Sequence, residues 1–132
     1  MGLLIDSSIF IAAERRKLDF DRLLTEFGNE PAELSVVTAA ELLHGVERAD
    51  PNRRTQRQAM VEGILTRFPI RPFDLPAGRT YARLMAERGS QGRPIAPHDL
   101  MIAATAVTSG LRLLTRDARS FPTVTGLDVL LR

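Results

Sequence analysis

Apolar residues in this chain come in short runs broken by polar pairs, and the runs alternate between two periods. Leu3-Leu4-Ile5 is a three-residue apolar run, and Asp6, Ser7 and Ser8 interrupt it. Ile9, Phe10, Ala12 and Ala13 then recur at helical density, predicting a buried strand followed by a helix from about Ser7 to Arg16. Phe20, Leu23, Leu24 and Phe27 stand at i, i+3, i+4 and i+7, which predicts a second helix over Asp19–Gly28 with the glycine as its stop. Glu33–Val37 reads as a strand. Thr38 opens a helix to Ala49 with Leu42, Leu43 and Val46 inward, and Asp50-Pro51 closes it. A longer helix follows from Asn52 to Phe68, with Met60, Ile64 and Phe68 in its stripe beside Val61 and Leu65. Pro69–Phe73 is a proline-interrupted strand that belongs at a sheet edge.

Leu75–Arg88 is helical, with Tyr81, Leu84 and Met85 buried, and Gly89–Pro97 is a loop. His98–Ser109 is apolar on nearly every side, so this helix is expected in the core, where its alanines allow close approach. Arg112–Thr115 is a strand, Ala118–Phe121 a single helical turn, and Leu127–Leu131 a last strand. The order β-α-α-β-α-α-β-α-α-β-α-β predicts an α/β fold, a three-layer α/β/α sandwich with a mainly parallel central sheet. A chain of 132 residues fits one compact domain spanning 1–132.

Composition narrows the chemistry. There are no cysteines, which excludes disulfides, thiolate zinc sites and cysteine nucleophiles and fits the cytoplasm. No apolar run reaches the ~20 residues needed to span a bilayer and no signal-peptide layout opens the chain, so no membrane association is expected. The net charge of +2 hides an asymmetry. Residues 1–52 hold five basic and ten acidic side chains, whereas residues 53–93 hold nine arginines against three acids. An arginine-only basic middle predicts contact with phosphate or an acidic partner, although a solvated helix face explains any one arginine equally well.

Four acids fall at comparable places. Asp6 follows the first strand, Glu41 lies early in the helix after the second, Asp99 opens the buried helix, and Asp117 follows the strand ending at Thr115. In a parallel sheet all strand carboxyl ends share one edge, where ligands of open α/β sheets bind. Each acid also has a purely structural explanation. Thr38-Ala-Ala-Glu41 reads as a capping box, Asp99 suits a helix dipole, and Asp6 and Asp117 could be N-caps worth ~1 kcal/mol each. Asp74 follows the edge strand and is read as a cap. Taken together, four carboxylates at one cleft repel, and a hard divalent cation, Mg²⁺ or Mn²⁺, is the lasting way to keep them ionised. Carboxylate-held metal in a basic protein suits phosphodiester cleavage.

The segments Leu4-Ile-Asp6-Ser-Ser8, Glu41-Leu-Leu-His-Gly45, Asp99-Leu-Met-Ile-Ala-Ala104 and Thr115-Arg-Asp117, in this order and spacing, resemble a PIN-domain ribonuclease of the VapC toxin type. The resemblance covers essentially the whole chain. It implies an endoribonuclease with Mg²⁺ or Mn²⁺ held by Asp6, Glu41, Asp99 and Asp117, and with Ser8 and Thr115 supporting the site. It further implies an RNA substrate, a homodimer, and inhibition by a cognate antitoxin seated between the helices at 7–28 and 38–68. Pro94, Pro97 and His98 are not required by the family pattern.

Two other readings stand beside it. His44 and His98 could run metal-free RNA cleavage as acid and base, or the chain could be an inactive domain that only binds RNA or a partner. Arg116 and Arg93 are candidates for a phosphate contact. A phosphoacceptor receiver is excluded because the one lysine, Lys17, is far from any late strand end. No nucleotide-binding glycine motif is present.

Overall fold

The computed structural model describes residues 1–92 and 94–132; the phosphate-contact expectation for Arg93 therefore falls outside the described residues. The elements run β1 (Leu3–Ile5), α1 (Ser7–Glu14), α2 (Phe20–Thr25), β2 (Ala32–Ser35), α3 (Val36–Glu47), α4 (Pro51–Arg67), β3 (Ile70–Arg71), α5 (Leu75–Gln91), α6 (Pro97–Ser109), β4 (Arg112–Thr115), a 3₁₀ turn (Phe121–Thr123) and β5 (Val129–Leu131). The five strands form one sheet in the order β3-β2-β1-β4-β5, with every neighbouring pair parallel. Ile5 stands opposite Leu114, and Leu34 opposite Ile70.

The strand order places the functional edge. From β1 the chain builds outward through β2 and β3, then crosses back to β4 on the other side of β1 and ends at β5. The reversal opens a crevice at the carboxyl ends of β1 and β4. Asp6 lies there, its backbone N–H bonded to the carbonyl of Leu114 at 2.9 Å.

Two apolar layers clamp the sheet. On one face Leu4 and Leu113 pack with Leu84, Ile102 and Phe121; on the other Ile5, Leu34 and Leu114 pack with Ile9, Leu42, Val61 and Phe68. Helix α6 is buried as its composition predicts, with Ile102, Ala103, Ala104 and Ala106 all at 0% exposure. Phe10, Phe20 and Phe68 form a ring cluster with centroids 5.2–5.9 Å apart.

Several boundaries differ from expectation. Helix α3 starts at Val36, not Thr38, because the Ser35 side chain accepts from the Val37 N–H at 2.9 Å and caps it there. This cap outweighs the strand preference of Val36-Val37. Helix α2 ends at Thr25 in a turn, short of Gly28, and α5 runs on to Gln91 because the left-handed Gly92 (φ 64°), not Gly89, stops it. The turn expected at 118–121 lies at Phe121–Thr123, and β5 starts at Val129 rather than Leu127. Leu43 and Met85, expected inside, are 40% and 51% exposed: each sits about 100° round its helix from a buried neighbour, Leu42 and Leu84.

Six of the nine arginines between 53 and 93 are committed within the molecule. Arg57 pairs with Glu14 through two 3.0 Å bonds, Arg71 with Glu33 at 2.8 Å and Arg67 with Asp21 at 3.6 Å. Arg83 pairs with Glu87, Arg54 donates to the carbonyl of Glu47, and the buried Arg88 donates to that of Thr123. Most of the basic middle therefore holds the structure together. Because Ser35 ends β2 and starts α3, Ser35→Ala should cost about 0.5–2 kcal/mol, read as a lower midpoint in urea unfolding with an unchanged slope.

Candidate active site

Asp6 is the buried member of the carboxyl edge, 5% exposed at the end of β1. It occupies the N-cap position of α1, yet its side chain accepts no backbone N–H there. Its Oδ2 instead accepts from two hydroxyls, Ser8 Oγ at 2.6 Å and Thr115 Oγ1 at 2.8 Å. Each hydroxyl is itself fixed by a backbone donor: the Arg116 N–H donates to Ser8 Oγ at 3.1 Å, and the Asp117 N–H to Thr115 Oγ1 at 3.0 Å. A backbone N–H can only donate, so it occupies a lone pair and leaves the hydroxyl proton for the carboxylate. Both hydroxyls therefore donate to Asp6 Oδ2 and fix the orientation of its side chain. The expected supporting roles of Ser8 and Thr115 take this geometric form.

The other three acids approach from separate elements. Glu41 lies six residues into α3, so the capping box with Thr38 is not formed; Thr38 is buried and its hydroxyl has no partner among the described residues. The hydroxyl of Ser7 faces Glu41 Oε1 at a long 3.4 Å. Asp99 is in the first turn of α6, where its charge suits the helix dipole. Asp117 does act as a local cap through one oxygen, Oδ1, which accepts from the Arg119 and Ser120 N–H groups at 2.8 and 3.0 Å. Asp74 caps α5 by accepting from the Ala77 N–H, as expected.

Electrostatics tie the four together. Burial pushes the Glu41 carboxyl up from its ordinary value, and the charges of Asp6 and Asp99 push it further. Burial likewise raises the carboxyl of Asp99, followed by repulsion from Asp6 and Asp117. His98 opposes both shifts. Repulsion within the cluster is thus a property of the folded chain. Among the described residues no three of these groups are yet close enough to enclose an ion. The donor set nevertheless suits one. Asp6 Oδ1, Glu41 Oε2, Asp117 Oδ2 and both oxygens of Asp99 have no hydrogen-bond donor among the described residues. All are hard oxygens of the kind Mg²⁺ and Mn²⁺ prefer, and Mg²⁺ binds through one or two carboxylates with water completing the shell.

A groove of about 1020 Å³ runs from this cluster between α1, α3, α4 and the start of α6. Ser7, Glu41 and His98 form its end at the acids, Met60 and Val61 line it, and the exposed Ile11 and Val36 are at its mouth. His44 also lines it, one helical turn beyond Glu41. Sequence reasoning missed Ser7 and gave His98 a part only in the metal-free alternative. The adjacent serines carried the signal, since residues at successive helix positions diverge by about 100°. Ser8 turns to Thr115 and Ser7 to Glu41.

The profile of the PIN domain matches residues 3–127. Ribonuclease VapC1 of Rickettsia felis is 40% identical, over 98% of this chain and 96% of that protein. The tRNA(fMet)-specific endonuclease VapC of Shigella flexneri is 36% identical, over 71% and 70% respectively. Among solved structures, VapBC2 from Rickettsia felis bound to a promoter DNA fragment superposes with a TM-score of 0.91 at 24% identity, covering 100% of this chain and 99% of that one. VapBC-5 from Mycobacterium tuberculosis, a member of the VapBC family of toxin-antitoxin systems, gives 0.77 at 31% identity over 99% and 98%. Among the described residues no helix is long and apolar enough to cross a membrane. With its parallel sheet, its acids at the switch point, a PIN match over residues 3–127 and 40% identity to a VapC ribonuclease over nearly the whole chain, the chain belongs to the PIN-domain family, in its VapC group.

Proposed function

We propose that this protein is a metal-dependent endoribonuclease, the toxin of a toxin–antitoxin pair acting in the cytoplasm. The observation that carries the reading is the cluster of Asp6, Glu41, Asp99 and Asp117, with mutual repulsion and unbonded oxygens at the sheet's switch point. The ribonuclease names of its relatives and the toxin-antitoxin complexes among its structural neighbours support the same reading.

In this reading Asp6, Glu41, Asp99 and Asp117 hold Mg²⁺ or Mn²⁺ and are the catalytic residues. When bound, such a cation would supply Lewis acidity at the phosphate and lower the pKa of a coordinated water. Ser8 and Thr115 hold Asp6 through its Oδ2 and leave Oδ1 without a protein donor among the described residues. Glu41 joins the crevice to the groove, so a partner seated in the groove also reaches the acids. The cognate antitoxin is that partner. The apolar mouth at Ile11 and Val36 suits an apolar segment of it, and the acidic end suits a cation it carries. The exposed Met85 and Leu75 on α5, beside the half-buried Phe73 and Tyr81, provide a face for the homodimer.

Asp99→Asn and Asp6→Asn should abolish RNA cleavage while leaving far-UV circular dichroism unchanged, and EDTA should abolish wild-type cleavage. Cleavage that survives EDTA would favour His44 and His98 instead. Thr115→Val should weaken Mn²⁺ binding by calorimetry on the order of 10–100-fold, the usual cost of an outer-shell partner.

Proton linkage gives a further outcome. Glu41 and Asp99 have raised values in the folded chain, so between the ordinary carboxylate range and those raised values the folded state binds more protons than the unfolded one. Stability is then greatest below that window and falls as pH rises through it. In metal-free buffer, Glu41→Gln and Asp99→Asn should reduce this fall and melt above wild type at neutral pH. A melting temperature many degrees below wild type would mean that the acids are structural caps.

A further inference from the structure

The acidic cluster that suits a metal also repels an RNA backbone, so a nuclease of this kind needs cations beside it. Their place differs from that suggested by the charge pattern along the chain. The arginine-rich middle is largely committed to Glu14, Asp21, Glu33, Glu87 and backbone carbonyls. Arg116 and Arg119, by contrast, are exposed and flank Asp117. Neither has a side-chain carboxylate within ion-pair distance among the described residues.

Both are anchored to the site through their backbones. The Arg116 N–H holds Ser8 Oγ, and the Arg119 N–H holds Asp117 Oδ1. The Arg116 guanidinium donates to the backbone oxygen of Arg132 at 3.2 Å, and no side-chain carboxylate pairs with it among the described residues. These cations therefore sit on the β4–β5 flank of the cluster, while the groove lies on the β1–β2 flank. Of the other unpaired cations, Arg15 and Arg48 line the groove rather than the β4–β5 flank. Arg15, Arg16 and Lys17 follow the far end of α1, which leads away from the site for about 12 Å, and Arg48 follows the far end of α3.

We propose that Arg116 and Arg119 bind backbone phosphates of the RNA beside the scissile bond, so that the strand runs along the β4–β5 flank. The inference rests on the ribonuclease reading and deepens it. Phosphate contacts contribute through counterion release, so each one lost flattens the salt dependence of binding by about 0.7 for a single strand.

The experiment measures binding of a fluorescently labelled random-sequence single-stranded oligoribonucleotide to the full chain carrying Asp99→Asn, across a salt series. Adding Arg116→Gln and Arg119→Gln should weaken binding and flatten the log K against log[salt] slope by ~1.4. Arg116→Lys with Arg119→Lys should restore most of that slope, because lysine keeps the charge. Arg53→Gln with Arg79→Gln, removing two arginines of the basic middle that have no side-chain partner among the described residues, should leave the slope unchanged. An unchanged slope in the 116/119 glutamine variant, or an equal loss in the 53/79 variant, would overturn the inference while wild-type cleavage kept the ribonuclease reading intact. A wild-type chain that neither bound nor cut RNA would overturn both.

Discussion

A buried Asp6 carboxyl held by two hydroxyl donors is the constraint on which the rest of the site depends. A carboxylate at 5% exposure is costly unless its charge is met by donors. Here Ser8 and Thr115 meet it, and each is aligned by an N–H of the strand β4 exit. The network needs β1 and β4 to be hydrogen-bonded neighbours in one register, with Ile5 opposite Leu114, so that Thr115 stands level with Asp6. It also needs α1 to begin immediately after Asp6, so that Ser8 turns back over it. The crossover to β4 is thus tied to the chemistry as well as to the core.

Around that fixed carboxyl the other acids are held less tightly. Glu41 has one long contact to Ser7, and Asp99 has no hydrogen-bond donor among the described residues. Asp117 spends one oxygen on its own loop. One tightly held carboxylate with three less constrained ones is the arrangement the proposed metal-binding role would require. Repulsion among them is the folded chain's standing cost, which the proposed cation would offset.

Much of this was legible in the residues. Helical spacing and short β-rich runs gave the element order, and the placement of four acids after strands pointed to a shared edge. What failed were competitions between local signals. At Ser35-Val36-Val37 the valines argued for strand and the serine for a helix start, and the cap prevailed. The same shift removed the apparent capping box at Thr38 and freed Glu41 from a structural explanation. The arginine bias misled for a different reason. Its partners Glu14, Asp21 and Glu33 lie in the acidic first segment, so the two opposite charge excesses neutralise each other across space. Sequence shows the two excesses; only the fold shows them pairing.

The margins of the sheet carry one more consequence. At one margin β3 has two residues, enclosed by Pro69 and Pro72, and at the other β5 has three. Proline lacks the N–H a ladder requires, and strands this short template poorly. Strand addition, a common way for extended peptides to join α/β proteins, is therefore closed to visitors on the proline-bounded side. On that side recognition falls to helix faces and crevices, and the sheet is protected against edge-to-edge self-assembly.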